Sequence, residues 1–277
     1  MQMATLPSGE RVPALGQGTW NIGDSRAKRA EEIATIRCGI DLGLTLIDTA
    51  EMYGDGRSEQ LIAEAIAGRR DEVFIVSKVL PNNATRRGTV AACERSLKNL
   101  NTDHIDLYLL HWRGGVPFAE TLQALMALQR AGKIRHYGVS NLDLSDIREW
   151  WETPGGNALA VNQLLYNLSR RGIEWELAPW LRERRVPMMA YSPLEQGQLF
   201  RNAKFTALAK ASGITPAQLA LAWLLTKPDV IVIPKCSNTR RVEENAAARD
   251  IELTAALLAE LDIIYPPPRG QEPLAML

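Results

Sequence analysis

The stretch Leu46-Ile47-Asp48-Thr49-Ala50-Glu51-Met52-Tyr53-Gly54 joins a short apolar run to an aspartate and then to a tyrosine. The apolar run predicts a buried strand, and the residues after it predict a loop. In α/β proteins such loops carry much of the chemistry, because the strands before them form a rigid scaffold. We therefore take Asp48 and Tyr53 as the first candidate functional side chains.

Two later apolar runs end on residues that are able to work with this pair. Val73-Phe74-Ile75-Val76-Ser77-Lys78 ends on a lysine, and Ile105-Asp106-Leu107-Tyr108-Leu109-Leu110-His111 ends on a histidine. Strand ends of a parallel barrel share one face, so we expect all four side chains to meet over one pocket. Each alone is more often structural, but their joint position at strand ends favours a functional site.

The rest of the chain alternates strands and amphipathic helices. The predicted strands cover residues 15–20, 45–48, 73–78, 105–111, 134–140, 159–163, 187–191 and 230–234. The predicted helices cover residues 26–42, 57–67, 88–100, 118–131, 143–151, 175–184, 215–226 and 239–247. Alternation without a linker predicts a parallel sheet, so we expect an α/β protein with one domain over residues 1–277, a closed (β/α)8 or TIM barrel. Pro7-Ser8-Gly9-Glu10, between apolar pieces, predicts an N-terminal β-hairpin.

An open doubly wound sheet is the alternative fold for this alternation. Gly16-Gln17-Gly18 begins like a dinucleotide fingerprint, but Asn21 occupies the position of the third glycine. Asp48 falls roughly where a ribose-binding acid would be, which is only a weak point in favour. The residues after Gly18 resemble a loop more than the start of a helix, so we reject this alternative.

Composition excludes several functional classes. The chain has 277 residues, of which 46% are hydrophobic, and its 32 Lys and Arg balance 32 Asp and Glu. No net charge is therefore available to attract nucleic acid or an anionic membrane. The cysteines Cys38, Cys93 and Cys236 are scattered without metal-ligand spacing, so we expect reduced thiols and no metal.

The N-terminal sequence lacks the basic and apolar regions of a signal peptide, and no apolar run approaches the ~20 residues of a membrane span. We expect a soluble cytoplasmic monomer.

The four candidate side chains suggest a mechanism. Lys78 beside the Tyr53 hydroxyl would stabilise the phenolate and lower the tyrosine pKa from its usual value of about 10. Asp48 would hold Lys78 charged and in place. Tyr53 would then protonate a carbonyl oxygen that a neutral His111 positions by a second hydrogen bond. Because this acid supplies no electrons, a cofactor must provide the hydride.

The second half of the chain offers a site for such a cofactor. Ser140, Asn141 and Gln163 carry groups suited to a carboxamide, Tyr191 is able to stack on a flat ring, and the loop Ser192-Pro193-Leu194 offers phosphate donors. A phosphate site after the last barrel strands, at a helix N-terminus, is a recurrent feature. The residues in that position here are Lys235, Cys236, Ser237, Asn238, Arg241, Glu244 and Asn245.

Aromatic residues at the strand ends predict the substrate pocket. Trp20 and Trp112 would wall it beside Tyr53 and His111, although simple packing is about as good an interpretation for Trp112. The loop 113–117 is short, so we expect a shallow site for small aldehydes and α-dicarbonyls.

Over its whole length the chain resembles the aldo-keto reductases. Three regions carry the resemblance: Gly43…Asp48-Thr49-Ala50…Tyr53-Gly54, Gly132-Lys133-Ile134-Arg135…Gly138-Val139-Ser140-Asn141 and Ile233-Pro234-Lys235…Arg241…Glu244-Asn245. The chain is most similar to bacterial members that reduce ketoaldehydes such as methylglyoxal. The resemblance implies NADPH extended across the barrel mouth, a tetrad of Asp48, Tyr53, Lys78 and His111, and the cofactor residues named above together with Gly18, Thr19 and Trp20.

One departure and two alternative functions accompany this resemblance. Cys236 stands where a phosphate-binding serine is usual, which bears on the strength of the NADPH preference. A Schiff-base aldolase or lyase would use Lys78 as its nucleophile. A non-catalytic NADP(H)-sensing subunit would bind the cofactor without turning it over.

Overall fold

The strands of the protein form two sheets. The computed structural model describes residues 2–277. An antiparallel pair, β1 and β2, precedes an eight-stranded sheet in which β3 to β10 follow one another in sequence order. The strands are β1 (Met3–Thr5), β2 (Arg11–Pro13), β3 (Gln17–Gly18), β4 (Leu46–Asp48), β5 (Phe74–Val79), β6 (Ile105–Leu110), β7 (Ile134–Ser140), β8 (Asn162–Leu165), β9 (Met188–Tyr191) and β10 (Val230–Val232).

The large sheet closes on itself to form a barrel. All its neighbouring strands are parallel. Parallel bridges of Leu15 with Val232 and of Gly18 with Lys235 join its two edges. The amide of Gly16 also donates to the carbonyl of Val232 at 2.8 Å. The predicted (β/α)8 barrel is confirmed.

The hairpin packs on the interior of the barrel at the end where the strands begin. Ala4, Leu6 and Val12 of the hairpin join one buried cluster with inward residues of the strands, such as Leu46 and Leu107. Burial of this apolar area from both sides stabilises the closed end of the barrel. The predicted N-terminal hairpin is therefore also confirmed.

Helices surround the sheet and bury its outer face in a second, larger apolar cluster. They are α1 (Arg29–Asp41), α2 (Arg57–Ala65), α3 (Arg86–Leu100), α4 (Phe118–Arg130), α5 (Leu144–Glu152), α6 (Leu177–Glu183), α7 (Ala203–Ala211), α8 (Pro216–Leu225), α9 (Thr239–Ala247) and α10 (Ala255–Ile264). Within residues 2–277, none of them combines the length and the apolarity needed to cross a bilayer.

The structure differs from the predicted elements in a few places. Helices α7 and α10 were not predicted, although Asn202 and Thr254 cap their first turns with side-chain hydrogen bonds. Strand β8 begins at Asn162, three positions later than predicted, and a 3-10 turn over residues 156–158 precedes it. Short capped helices on the rim carry little apolar periodicity, which is why they escape a pattern-based prediction.

Candidate active site

Lys78 lies at the centre of a group of buried polar side chains. Its Nζ donates to the Asp48 carboxylate at 2.8 Å, to the Thr49 carbonyl at 2.7 Å and to the Tyr53 hydroxyl at 3.2 Å. The side chain is fully buried. Because a lysine ammonium has three N–H donors, this arrangement uses all of them and favours the charged form.

Strand register explains why these residues meet. Asp48 lies opposite Val76, so Lys78 is two residues further along the neighbouring strand on the same face. Side chains alternate between the two faces of a strand, which puts Lys78 inside the barrel with Val76. His111 follows the end of β6, and its amide donates to the carbonyl of Val79 at 3.0 Å.

Tyr53 reaches this group from a tight loop after β4. Its amide donates to the carbonyl of Ala50 at 3.0 Å. Gly54 and Gly56 then adopt φ values of 58° and 82°, which a side chain would disfavour. This turn directs the chain back toward α2 and leaves the Tyr53 hydroxyl against Lys78.

The tyrosine pKa is not lowered, contrary to the prediction. Burial raises the pKa of Tyr53 well above its ordinary value, and the negative charge of Asp48 raises it further. The contact with Lys78 exists, but Asp48 neutralises that cation because the two form a close ion pair. Tyr53 therefore keeps its proton at neutral pH, which is the state that a general acid needs.

In the Asp48–Lys78 ion pair, burial and the attraction between the charges have opposite effects on the two pKa values. Burial raises the pKa of Asp48 and is opposed by Lys78. Burial likewise lowers the pKa of Lys78 and is opposed by Asp48. Gln163 adds a donor to the carboxylate, with its Nε2 at 2.7 Å from Asp48 Oδ1. Each charge thus has hydrogen-bonding partners, as a buried ion pair requires.

His111 is neutral and borders the same space. Burial lowers its pKa to about 2, with a further contribution from the nearby charge of Lys78. Its ring centroid lies 6.0 Å from that of Tyr53. Among the described residues, its buried Nδ1 atom has no hydrogen-bond partner. A neutral imidazole in this place is able to donate one hydrogen bond to a substrate oxygen.

Two tryptophans extend this wall. The ring of Trp20 packs edge-on to Tyr53 at a centroid distance of 5.0 Å, and it remains 47% exposed. The ring of Trp112 lies 4.7 Å from that of His111. Both tryptophans therefore contact members of the tetrad, and their role as walls of a substrate pocket stays a prediction.

The residues proposed to hold a carboxamide connect directly to the tetrad. Gln163 contacts Asp48, and the Ser140 hydroxyl donates to the Gln163 carbonyl at 3.0 Å. Asn141 has a φ of 56° and accepts a hydrogen bond from the Tyr191 hydroxyl at 2.9 Å. The polar groups at the ends of β7, β8 and β9 thus form one continuous network with the tetrad.

The loop after β9 is held in an unusual backbone conformation. Ser192, Glu195 and Gln196 all have positive φ values, of 49°, 47° and 51°. The Glu195 carboxylate fixes the loop by accepting hydrogen bonds from Asn167 and Arg170. The buried Ser192 hydroxyl has no partner within residues 2–277. An orphaned donor in a constrained loop, next to Pro193 and Leu194, fits a ligand such as a phosphate.

A second candidate anion site follows β10. Lys235 and Arg241 are exposed. In the described part of the chain neither makes an ion pair. Asn238 caps α9 by accepting from the Arg241 amide at 3.0 Å, with Ser237 just before it. Two cations beside a capped helix N-terminus fit a phosphate group.

Other predicted cofactor residues in this region have protein partners. Asn245 donates to the sulfur of Cys236 at 2.8 Å, and Glu244 accepts from the hydroxyl of Thr215. The Thr19 hydroxyl donates to the carbonyl of Asp48 at 2.9 Å. Gly18 lies so close to the last strand that an added Cβ would be 2.7 Å from the Ile233 carbonyl oxygen. These residues shape the site and hold the barrel closure in place.

Sequence reasoning missed three residues that support the tetrad: Thr49, Ser58 and Glu59. Thr49 supplies the carbonyl that binds Lys78. Ser58 and Glu59 lie in the first turn of α2, and both are completely buried. Their polarity in an amphipathic helix was the available signal, but their partners lie on other elements and loops, so local patterns do not reveal them.

A family comparison agrees with this geometry. The model of the Aldo/keto reductase family matches residues 14–266. The chain belongs to the aldo/keto reductase family. Methylglyoxal reductase YeaE of Escherichia coli is 49% identical over 96% of this chain and 95% of its own. Glyoxal reductase of Bacillus subtilis is 32% identical over 94% of this chain and 91% of its own.

Solved structures of aldo/keto reductases agree as well. An aldo/keto reductase from Klebsiella pneumoniae, crystallised in complex with NADP and acetate, superposes with a TM-score of 0.97 at 47% identity, and the match covers 100% of both chains. A second structure of a Klebsiella pneumoniae aldo-keto reductase contains NADPH and gives the same TM-score, identity and coverage. The family resemblance predicted from the sequence is confirmed.

Proposed function

We propose that this aldo/keto reductase uses NADPH to reduce small aldehydes and α-dicarbonyls, such as methylglyoxal, to alcohols. The observation that carries the proposal is the contact of one buried ammonium, Lys78, with both Asp48 and Tyr53. The similarity to methylglyoxal and glyoxal reductases supports the substrate class.

Tyr53 is the general acid in this proposal. It keeps its proton because burial disfavours the phenolate. As negative charge develops on the substrate oxygen, the phenol transfers its proton, and the phenolate that forms receives a hydrogen bond from Lys78. Such acid catalysis typically contributes a factor of about 10²–10⁴.

His111 and the two tryptophans orient the substrate. The neutral imidazole donates a hydrogen bond to the carbonyl oxygen. Its low pKa keeps the ring uncharged, so it adds no second positive charge beside Lys78. The rings of Trp20 and Trp112 supply apolar walls with few polar groups. Few buried polar groups give little power to reject an analogue, so we propose a permissive site.

The residues of the second half bind the cofactor. Bound NADPH supplies the hydride that the side chains lack. Ser140, Asn141 and Gln163 hold its carboxamide, and Tyr191 stacks on its nicotinamide ring. The orphaned hydroxyl of Ser192 binds a phosphate oxygen together with the loop of Pro193 and Leu194. The group of Lys235, Cys236, Ser237, Asn238, Arg241, Glu244 and Asn245 surrounds the adenosine 2′-phosphate and the adenine.

Lys78 is a poor nucleophile for the alternative Schiff-base chemistry. Its nitrogen has no free lone pair while it remains an ammonium bound to Asp48, Thr49 and Tyr53. A non-catalytic sensor would bind NADPH without oxidising it. We further propose that the chain acts as one domain and as a monomer in the cytoplasm.

One assay separates these functions. Purified protein is mixed with NADPH and methylglyoxal, and the absorbance of the reduced nicotinamide is followed at 340 nm. A reductase consumes NADPH only when the aldehyde is present. An aldolase leaves NADPH intact and is trapped on Lys78 by borohydride, whereas a sensor binds NADPH and shows neither reaction.

A further inference from the structure

A second buried carboxylate lies behind the catalytic lysine. Glu59 belongs to α2 and has no exposed surface, and its carboxylate lies on the side of the helix that faces β5. Its Oε1 accepts from the Ser77 hydroxyl at 2.8 Å, and its Oε2 accepts from Asn99 at 3.0 Å. Ser77 directly precedes Lys78 on β5 and points to the opposite face of the strand. Glu59 is thus one residue removed from the ammonium, on the helix side of the barrel wall.

The neighbouring residue, Ser58, ties together the backbone around the same site. Thr49 donates to the Ser58 hydroxyl at 3.1 Å, and Ser58 donates to the hydroxyl of Thr19 at 2.8 Å. The chain of hydroxyls ends on the carbonyl of Asp48, at 2.9 Å from Thr19. The amide of Ser58 also donates to the carbonyl of Tyr53 at 3.3 Å. One serine therefore links the segments that carry Asp48 and Tyr53.

The charges around Lys78 and Glu59 come from several elements. Asp48, Tyr53 and His111 face Lys78 from inside the barrel. Glu59 is a further source of negative potential at Lys78 from outside.

Three titratable groups face Glu59 from its other sides: Cys93 of α3, Tyr108 of β6 and Glu51 of the loop after β4. Burial raises the pKa of Cys93 to about 12 and that of Tyr108 well above its ordinary value, so both are neutral at working pH. Glu51 is paired with Arg95 at 3.0 Å.

We propose that Ser58 and Glu59 are positioning residues for the proton donor, with Ser58 fixing the Tyr53 loop and Glu59 holding Lys78 charged and in register through Ser77. This inference rests on the proposed reductase function. It assigns a catalytic purpose to two buried residues that touch neither substrate nor cofactor.

The proposed role of Glu59 has a definite sign. Burial raises the pKa of Glu59, and the hydrogen bonds from Asn99 and Ser77 oppose that rise and favour its carboxylate form. A negative charge there favours the protonated forms of both Lys78 and Tyr53. Reduction requires both of them protonated, so its rate falls as pH rises through the lower of their pKa values. Removal of the Glu59 charge must therefore move this basic limb to lower pH, and it cannot move it upward.

The decisive variant is Glu59→Gln, which removes the charge but keeps the shape. We expect the basic limb of kcat/KM for methylglyoxal to move down by about one pH unit. At pH values above the limb we also expect kcat to fall about tenfold, with the NADPH dissociation constant within about twofold of that of the unchanged protein. Cofactor binding is measured separately by quenching of tryptophan fluorescence.

Two further variants separate position from charge. Ser77→Ala removes the hydrogen bond but keeps the Glu59 charge, so kcat falls about threefold and the basic limb stays in place. Ser58→Ala keeps the amide hydrogen bond to Tyr53 but removes the hydroxyl links to Thr49 and Thr19. The Tyr53 loop then loses its anchor on the Asp48 segment, so kcat falls while the limb and the NADPH affinity are unchanged. If Glu59→Gln does not fold, the Ser77→Ala result decides, because a normal kcat in that variant overturns the role of the link.

The matched control is Asp106→Asn. Asp106 is also a buried carboxylate that binds β5, through the Ile75 amide at 2.8 Å, but it lies at the opposite end of the strand. This variant should lose stability and keep both kcat and the pH profile. A folded Glu59→Gln protein with unchanged kcat and pH profile would overturn the proposal. If the unchanged protein itself fails to oxidise NADPH with methylglyoxal, the proposed function fails instead.

Discussion

In the proposed mechanism a single phenol, that of Tyr53, carries the proton, and its surroundings determine how it does so. Tyr53 is buried against the Asp48–Lys78 ion pair, so its pKa is raised well above the usual value. The proton is therefore present at neutral pH, and Lys78 becomes most useful as charge develops on the phenol oxygen. This is stabilisation of the transition state in preference to the resting state.

Replacement of Tyr53 by phenylalanine tests this role. The change removes the hydroxyl and keeps the ring that packs on Trp20. We expect methylglyoxal reduction to fall by a factor of about 10²–10⁴, while NADPH affinity stays the same. The rate is followed at 340 nm, and Trp112→Phe serves as a control for a general disturbance of the pocket. Normal turnover by Tyr53→Phe would refute the assignment.

The pH dependence of stability tests the state of His111. Its pKa is about 2 in the folded protein and near 6.5 in the unfolded chain, so the unfolded chain binds the proton more readily between these values. Folding stability must therefore fall as the pH drops below 6.5, by up to about 1.4 kcal/mol per pH unit from this residue. The urea concentration at which His111→Gln unfolds should therefore change less with pH, between pH 6.5 and 4, than that of the unchanged protein. Identical slopes for both proteins would contradict a buried neutral histidine.

For single residues, the sequence predicts which side chains meet, but not the direction of their pKa shifts. Asp48, Tyr53, Lys78 and His111 follow from their positions at strand ends. The direction of the Tyr53 pKa shift does not follow, because it depends on burial and on the neutralisation of Lys78 by Asp48. Neither is visible in a pattern of residue types.

Among the secondary-structure elements, the start of α9 would decide which cofactor is preferred under the proposed function. Lys235 and Arg241 lie on either side of the Asn238 cap, and both are exposed. Charge-assisted contacts to a phosphate are roughly twice as strong as neutral ones, so these two residues favour the 2′-phosphorylated cofactor. Cys236 lies between them in the sequence and accepts a hydrogen bond from Asn245. Its thiol is only a weak hydrogen-bond donor.

The double variant Lys235→Met and Arg241→Leu tests this preference. It should weaken NADPH binding by about 10²-fold or more and leave NADH binding nearly unchanged, because only NADPH carries the additional phosphate. Dissociation constants for both cofactors are measured by fluorescence quenching. Arg240→Leu, on the same helix, is the control for loss of surface charge. Equal losses for NADPH and NADH would argue against a 2′-phosphate site here.

The elements also show where prediction from sequence stops. Helix α8 begins at Pro216, one residue from the predicted start at 215, and its first turn is fixed by local contacts of Thr215 and Gln218 in a capping box. The loop after β9 was readable only as a loop. Its left-handed residues are stabilised by Asn167 and Arg170, which lie more than 20 positions away.

For the molecule as a whole, one carboxylate connects the barrel to its hairpin. Asp106 binds Arg70 and Arg135 at 2.8 Å each, and Arg135 continues to Glu10 of the hairpin turn at 2.7 Å. Asp106 is buried, so removing its charge leaves two guanidinium groups without their main partner. The proposed active site lies at the other end of the strands.

Asp106→Asn should therefore separate stability from activity. We expect it to lower the free energy of unfolding by about 1–3 kcal/mol, because the buried carboxylate loses charge-assisted hydrogen bonds to two partly exposed guanidinium groups. The value of kcat at 25 °C should remain unchanged. Urea denaturation followed by tryptophan fluorescence measures the first effect, and the 340 nm assay measures the second. A variant as stable as the unchanged protein would show that the network contributes little.

The hairpin that packs on the barrel at the end where the strands begin also limits how substrate and product reach the site. Ala4, Leu6 and Val12 pack against the inward side chains of the strands and close that end of the barrel. Under the proposed function, the aldehyde and the alcohol made from it would therefore share the opening at the end where the tetrad lies. We expect accumulated alcohol to inhibit reduction competitively with the aldehyde, because both would occupy that opening.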